Sequence, residues 1–398
     1  MPSQKTRVLF VLNRADVVTA SVRGLQFERL LSQHPLVDVE FAMRTPSWLT
    51  KVGRLWPQRR YLRTPMDAVE RMTIRRSENA ICRRAKSFDI VHLATVPSYR
   101  LFSKLQQQSA TISLDIVDAL WLPWFRKWGW DRLEEMLASA HAVICENDCT
   151  AEFAKRHSQH VSVFPDSPQL DAFDQHRNTI QRPEDQIRLG WIGGKDTADS
   201  LYKIYEPLEQ LFAENPSLHL RILGAPEERL PRFSNVRHST VERYDRDIMV
   251  RETLQMHIGM FPQFNVEEQL NRGTLKAKIY MSGGAAAVCE DIGENRELIQ
   301  DGHNGMLASA PEQWLEKLRQ LSSDTVLRQR IADKGLETIR QQFTAEKCLD
   351  KLIEAWIGAS DRAATDSRGS GGQQATRNGP KSDESDIIEN DGLKGREP

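Results

Sequence analysis

The chain has 398 residues, 39% of them apolar and 27% charged, which is material for two ordinary domains and the composition of a globular protein. A formal net charge of −1 gives no electrostatic case for nucleic acid as a partner. The five cysteines are odd in number and lack zinc spacing (Cys145 and Cys149 have no second pair), so they read as reduced core residues of a cytosolic protein.

The opening run MPSQKTRVLFVLNR holds an apolar stretch too short for a signal peptide, and no run approaches the length of a membrane span. Residues 7–12 form a first strand, apolar throughout as in a parallel sheet covered on both faces. The loop after it opens a helix over 21–32. In a doubly wound domain that loop faces the cleft, which places Arg14, Ser21 and Arg23 to meet a ligand; a plain solvated loop is the alternative. Residues 37–42 are a second strand. From Lys51 to Lys86 the chain is strongly basic, with Trp48 and Trp56 nearby. Residues 48–86 suit an anionic membrane surface or a lipid-pyrophosphate acceptor, and equally a solvated charged helix. Strands follow at 89–94 and 111–117. His92, on the first of them, is either a hydrogen-bonded core histidine or a base. Asp118, just past the second, either orients a hydroxyl or caps the next helix. Four tryptophans crowd residues 121–130 with Arg126 and Lys127 between them. A core absorbs one or two, so the rest predict an exposed aromatic surface for sugar, lipid or membrane. Strands at 141–145 and 160–164 flank a helix capped by Asn147 or Asp148, and residues 177–185 read as a linker.

A strand over 187–194 ends in Gly193-Gly194, and Lys195-Asp196-Thr197 begins a helix. Bare amides and a lysine at a helix start suit a phosphate, and the glycines let backbone approach; an ordinary capped turn is the alternative. Pro207 restarts or kinks the following helix. A strand at 218–224 ends in Gly224, a short one spans 236–239, and another runs over 257–261. A polar loop then closes on Arg272-Gly273, and a helix carrying Lys276, Ile279, Tyr280 and Met281 stops at Gly283-Gly284. After a strand at 285–289, a turn with Gly293, Glu294 and Asn295 starts a helix whose first turn holds Glu297. Asp301-Gly302 and Asn304-Gly305 are tight-turn signals. Such strand–loop–helix repeats build a parallel sheet with ligands at the strands' carboxyl ends. Loops carrying Arg, Lys, Gly and Glu there suit an anionic, hydroxyl-rich ligand. Helices follow at 311–322 and 324–342. A last one, capped by Thr344, puts Cys348, Leu349, Leu352, Ile353 and Trp356 on one face. From Ala359 onward large apolar residues nearly vanish, which predicts a disordered tail.

The Arg272-Gly273 loop, the run Lys276–Gly284 and the run Gly293–Gly305, in this order and spacing, resemble the donor-binding half of retaining glycosyltransferases of family 4 (group 1). More loosely the resemblance covers residues 5–357. It implies an α/β protein of two Rossmann-like doubly wound domains facing a cleft, the GT-B fold. The acceptor domain would occupy residues 1–178 and the donor domain 186–343, with a helix at 344–358 crossing back to the first domain and a disordered tail at 359–398. By the same resemblance a nucleotide sugar is the co-substrate, and no cofactor or metal is required. Gly193, Gly194, Lys195, Thr197, Gly224, Arg272, Lys276, Asn295 and Glu297 would bind it, Asp118 and His92 would be catalytic, and Arg14, Ser21 and Arg23 would face the acceptor. The chain departs from the family where two glutamates eight positions apart are usual: it has Asn271 and Ile279. Isoleucine cannot accept a hydrogen bond from a ribose, so Glu297 or a neighbour takes that task or donor binding is weakened. The glycine-rich first loop is absent, and Ala286 stands where a proline is usual.

The expected activity is transfer of a sugar from a UDP- or GDP-sugar to a glycan, lipid-linked or small-molecule acceptor, with retention, in cell-surface polysaccharide or glycolipid synthesis. The expected location is the cytoplasm, with peripheral contact to the inner membrane face through residues 48–86 and 121–130 and no nucleic-acid partner. Two other classes stay open: a degenerate, non-catalytic nucleotide-binding relative, and a nucleotide-sugar epimerase of similar architecture.

Overall fold

A computed structural model describes residues 5–15, 18–49 and 60–370, apart from the side chains of residues 18, 60–66 and 366–370. Two six-stranded, all-parallel sheets account for the strands among these residues. The first domain runs β2-β1-β3-β4-β5-β6, with β1 Thr6–Leu12, β2 Val37–Met43, β3 Ile90–Ala94, β4 Ile112–Ile116, β5 Ala142–Cys145 and β6 Val161–Val163. The second runs β12-β11-β10-β7-β8-β9, with β7 Ile187–Ile192, β8 Leu218–Leu223, β9 His238–Val241, β10 Ile258–Phe261, β11 Ala286–Glu290 and β12 Met306–Ala308. Strands β3, β4, β5, β10 and β11 are buried along their whole length, as their unbroken small and apolar runs require between two helical layers. In each sheet the strand order reverses beside the first strand, at β1/β3 and at β7/β10. Crevices open at the carboxyl ends of such pairs.

Beside the second reversal, β7 and β10 pair only at Ile258↔Leu189 and Gly259↔Gly190. Where they part, the Tyr280 hydroxyl bridges them: it accepts the Ile192 N–H at 2.8 Å and donates to the Met260 carbonyl at 3.1 Å. The turn after β7 does not open directly into an α-helix. A 3-10 segment covers Ala198–Ile204, and the α-helix Tyr205–Glu214 follows with Pro207 in its first turn, where a missing N–H breaks no helical bond.

The final helix, Ala345–Ser370, lays Cys348, Leu349, Leu352, Ile353 and Trp356 against Val8, Phe10, Ile90, Ala142 and Ile144 of the first domain's sheet. It continues past residue 358, where composition predicts a tail. Ala359 is still buried and Arg362 donates to the His141 carbonyl at 2.9 Å, so packing carries the helix through a polar stretch. Residues 371–398 of the expected tail lie outside the described residues, as does the basic run 51–59. In the rest of the basic segment Arg84 pairs with Glu40, and Glu78, one of its few acids, gathers Arg44, Arg100 and the Ser98 hydroxyl from outside it. Of the four clustered tryptophans, Trp130 is core and Trp121 stacks on Phe153 at 4.0 Å; Trp124 and Trp128 are exposed by 43% and 67%. No helix among the described residues is long and apolar enough to cross a membrane.

Candidate functional site

The carboxyl ends of the two sheets enclose a cavity of about 220 Å³. Thr19, Val22, Arg23, Val117, Asp118, Glu146 and Asp166 line it from the first domain; Phe261, Arg272, Gly273, Leu275 and Lys276 line it from the second. Every segment involved leaves a strand end or starts the helix next to one.

On the first domain's wall, Asp118 follows β4 with φ +55°, a left-handed conformation that aspartate tolerates better than most residues. Its N–H donates to Glu146 Oε1 at 2.6 Å, and its Oδ1 lies 3.5 Å from Arg272 Nε across the cleft. Burial pushes the Asp118 carboxyl up, with Arg272 pulling the other way. Glu146 directly follows β5 and is 6% exposed; burial, then Asp118 and Asp166, hold its carboxyl well above the usual range.

Arg23 is not a free cation. It is 1% exposed and donates to both Asp115 oxygens (Nε 3.0 Å, Nη2 2.8 Å) and to Asp166 Oδ1 at 2.9 Å. Burial opposes its charge, but Asp115 and Asp166 outweigh burial and raise its proton affinity. Its role is therefore to brace the wall rather than meet an acceptor. Arg14 and Ser21 are half-buried beside the cleft but do not line the cavity.

His92 is likewise removed from the chemistry. Its ring is fully enclosed, stacked edge-on against Phe10 and Trp356. Nδ1 accepts the indole N–H of Trp356 at 3.2 Å and lies 3.0 Å from Ser113 Oγ; since indole only donates, the ring proton sits on Nε2, 4.0 Å from Asp115. Burial, then Arg23, lowers its pKa to about 3, so it stays neutral. Fully buried and not among the residues lining the cavity, it is placed as the core histidine of the two sequence readings.

The opposite wall is cationic. Arg272 Nη2 donates to Glu268 Oε1 at 2.8 Å, one turn away. Lys276, in the first turn of the helix Leu275–Ser282, holds its ammonium 5.6 Å from the Trp191 ring centre and 5.3 Å from that of Phe261. Burial, helped by Arg272 and opposed by Asp118, brings its pKa down to about 7. Beneath it, Lys278 pairs with Glu294 Oε1 at 3.0 Å, and Glu294 Oε2 accepts the Thr274 N–H at 2.9 Å. Glu294, not Glu297, thus fixes the start of this helix. Glu297 is exposed, and burial, Asp148 and Glu294 raise its carboxyl.

The remaining donor-side candidates scatter around this wall. Lys195 and Gly194 are exposed in the turn after β7, and Thr197 Oγ1 is spent accepting the Gly194 N–H at 3.1 Å. Gly224 is required by its φ of +94° and by the Gly193 carbonyl, 1.8 Å from where a Cβ would stand. Asn295 is buried, donating to Gln263 Oε1 and the Glu290 carbonyl. Ile279, at one of the two glutamate positions, is core, while the Asn271 side chain bonds back to the Glu267 carbonyl at 2.7 Å.

Three contacts tie the walls together: Asp118–Arg272, Trp121 Nε1 to Glu267 Oε1 at 2.8 Å, and Asn147 Nδ2 to the Asn271 carbonyl at 3.2 Å. Glu146 and Asp166 were not named from sequence, and Glu294 was named only as part of its turn. The first two sit just past β5 and β6, where the rule that ligands meet strand carboxyl ends finds them.

The sequence model of a family described as "Glycosyl transferase-like" matches residues 205–354. No curated protein matches the chain by sequence. Among solved structures, the chain resembles a glycosyltransferase from Rickettsia africae ESF-5 (TM-score 0.61, 12% identity, 89% of this chain and 99% of that one). It also resembles Alr3699/HepE of Anabaena in complex with UDP-glucose (0.55, 13%, 91% and 99%). A third is a UDP-forming α,α-trehalose-phosphate synthase from Burkholderia xenovorans (0.59, 12%, 90% and 100%). The chain therefore has the GT-B fold, and residues 205–354 within it match the glycosyl transferase-like model.

Proposed function

We propose that the protein is a retaining glycosyltransferase that moves a sugar from a UDP- or GDP-sugar to an acceptor hydroxyl. The observation that carries this reading is the pairing of two cations, Arg272 and Lys276, on one wall of an interdomain cavity with Asp118 on the other. A departing diphosphate accumulates charge, and fixed cations in a recess stabilise it. Lys276 suits that task because it takes up its proton as the anion arrives. Asp118, opposite, accepts from the incoming hydroxyl. The transfer needs no protein nucleophile: the acceptor attacks the face the diphosphate leaves, and a phosphate oxygen takes its proton. Water is kept out by contact between the lobes. Lys195 would reach the phosphates from its exposed turn.

The acceptor we propose is a glycan or lipid-linked sugar, in polysaccharide or glycolipid synthesis on the cytoplasmic side of a membrane. Exposed Trp124 and Trp128 support an amphipathic acceptor. A thermal-shift screen of nucleotides and nucleotide sugars, followed by transfer assays with those that bind, tests the reading. No stabilisation by any UDP- or GDP-sugar refutes it. Ile279 in the core favours a second reading, a nucleotide-binding protein without transfer. Nucleotide binding with no sugar moved to any acceptor would establish that one.

A further inference from the structure

Glu146 lines the cavity beside Asp118. Its side chain is more than nine-tenths buried, and Oε1 is occupied by the Asp118 N–H. Oε2 has no hydrogen-bond partner among the described residues and faces the cavity. It lies 2.9 Å from the point where a side chain at Gly273 would begin, beside Arg272 on the other domain. An unpartnered oxygen of a buried side chain, open only to a hollow, meets a polar group when the hollow fills. The charges around it select that group. Asp118 faces Glu146 from the end of β4 and Asp166 from the segment after β6; Arg23 is bonded to Asp115 and Asp166. Arg272 and Lys276 stand on the far wall. An anionic oxygen is repelled at such a place, whereas a hydroxyl, both donor and acceptor, is accepted.

We propose that Glu146 contacts the substrate directly, its free oxygen hydrogen-bonded to a hydroxyl of the sugar being transferred while Arg272 and Lys276 hold the diphosphate. This rests on the nucleotide-sugar reading above. Burial and the neighbouring carboxylates favour the protonated form of Glu146, and because Oε1 already accepts an N–H, the proton of that form belongs on Oε2. In that form the residue is a neutral donor.

Titration calorimetry of wild type, E146A and E146Q with UDP against UDP-glucose, and GDP against GDP-mannose, tests it. The alanine variant should bind the nucleotide sugar about tenfold more weakly while the bare nucleotide stays within about twofold. The glutamine variant, whose amide offers the same acceptor and donor, should stay within about threefold for both. An alanine variant that binds the sugar nucleotide like wild type overturns the contact. A folded glutamine variant that loses about tenfold overturns the neutral-donor role, and it carries the test if the alanine variant does not fold. Wild type that binds neither pair overturns the nucleotide-sugar reading, and this inference with it.

Discussion

Replacing Lys276 by methionine keeps the length of the side chain and removes its charge. In the free protein the lysine's pKa is about 7. A bound diphosphate holds it charged well above that. The charged fraction in the free protein falls from about nine-tenths at pH 6 to about one-tenth at pH 8, so the binding advantage of lysine over methionine shrinks about tenfold, or ~1.4 kcal/mol. Calorimetry with UDP-glucose at both pH values measures this. The ratio of the variant's dissociation constant to that of wild type cancels other groups that titrate in the cleft, and it should be about ten times larger at pH 6. A ratio constant from pH 6 to 8 refutes the assignment. Stability gives a second readout. The folded pKa lies below that of the unfolded chain, so between about pH 7 and the ordinary lysine range the unfolded state binds more protons and stability rises with pH. The methionine variant lacks that slope. Without ligand it should melt above wild type at pH 6, with the gap closing toward pH 10; parallel pH profiles would contradict the desolvation argument.

Gly273→Ala puts a methyl 2.9 Å from Glu146 Oε2 at a backbone position with no left-handed requirement, so it should weaken UDP-glucose binding about fivefold while Tm moves by no more than about 2 °C; unchanged affinity means the lobes need not approach this closely. Asp115→Ala strips the buried Arg23 of its bidentate partner and should cost about 3–5 kcal/mol in urea unfolding, a loss below 1 kcal/mol showing that Asp166 suffices. Tyr280→Phe leaves the Ile192 N–H without its acceptor where β7 and β10 part, and should cost about 1–3 kcal/mol; hydrogen exchange at Ile192 as slow as in wild type would show that the hydroxyl was not holding that amide.

The alternation of strands and helices was legible because buried parallel strands are unbroken apolar runs: residues 7–12 coincide with most of β1, and 111–117 with β4. β12 escaped notice because three residues, Met306–Ala308, are too few to show a period, and β9 lies two residues later than its apolar signal. The crossing helix was legible from its apolar stripe, but its end was not, since Ala359 and Arg362 hold it by contacts with strands more than 200 residues earlier in the chain.

The same limit governs the cleft. Arg272, Lys276 and Asp118, named from the sequence by resemblance and by the loops that follow strands, line one cavity. Whether a charge is available is not local. Arg23 reads as a free cation until Asp115, 92 positions away, is seen to occupy it, and His92 reads as a base until Trp356, 264 positions away, is seen to close over it. Glu146 is the converse. In the sequence it is one surface-like acid among many, and it keeps one oxygen open to the cavity only because Asp118, 28 residues earlier, takes the other one and Gly273, on the second domain, leaves room. What the cleft offers a ligand is therefore the remainder after long-range pairing: on one side two cations, Lys276 against aromatic rings and Arg272 beside Glu268, on the other a carboxyl with one oxygen open. That remainder is polar across the gap, cation facing acid, and it matches a molecule with phosphates at one end and hydroxyls at the other.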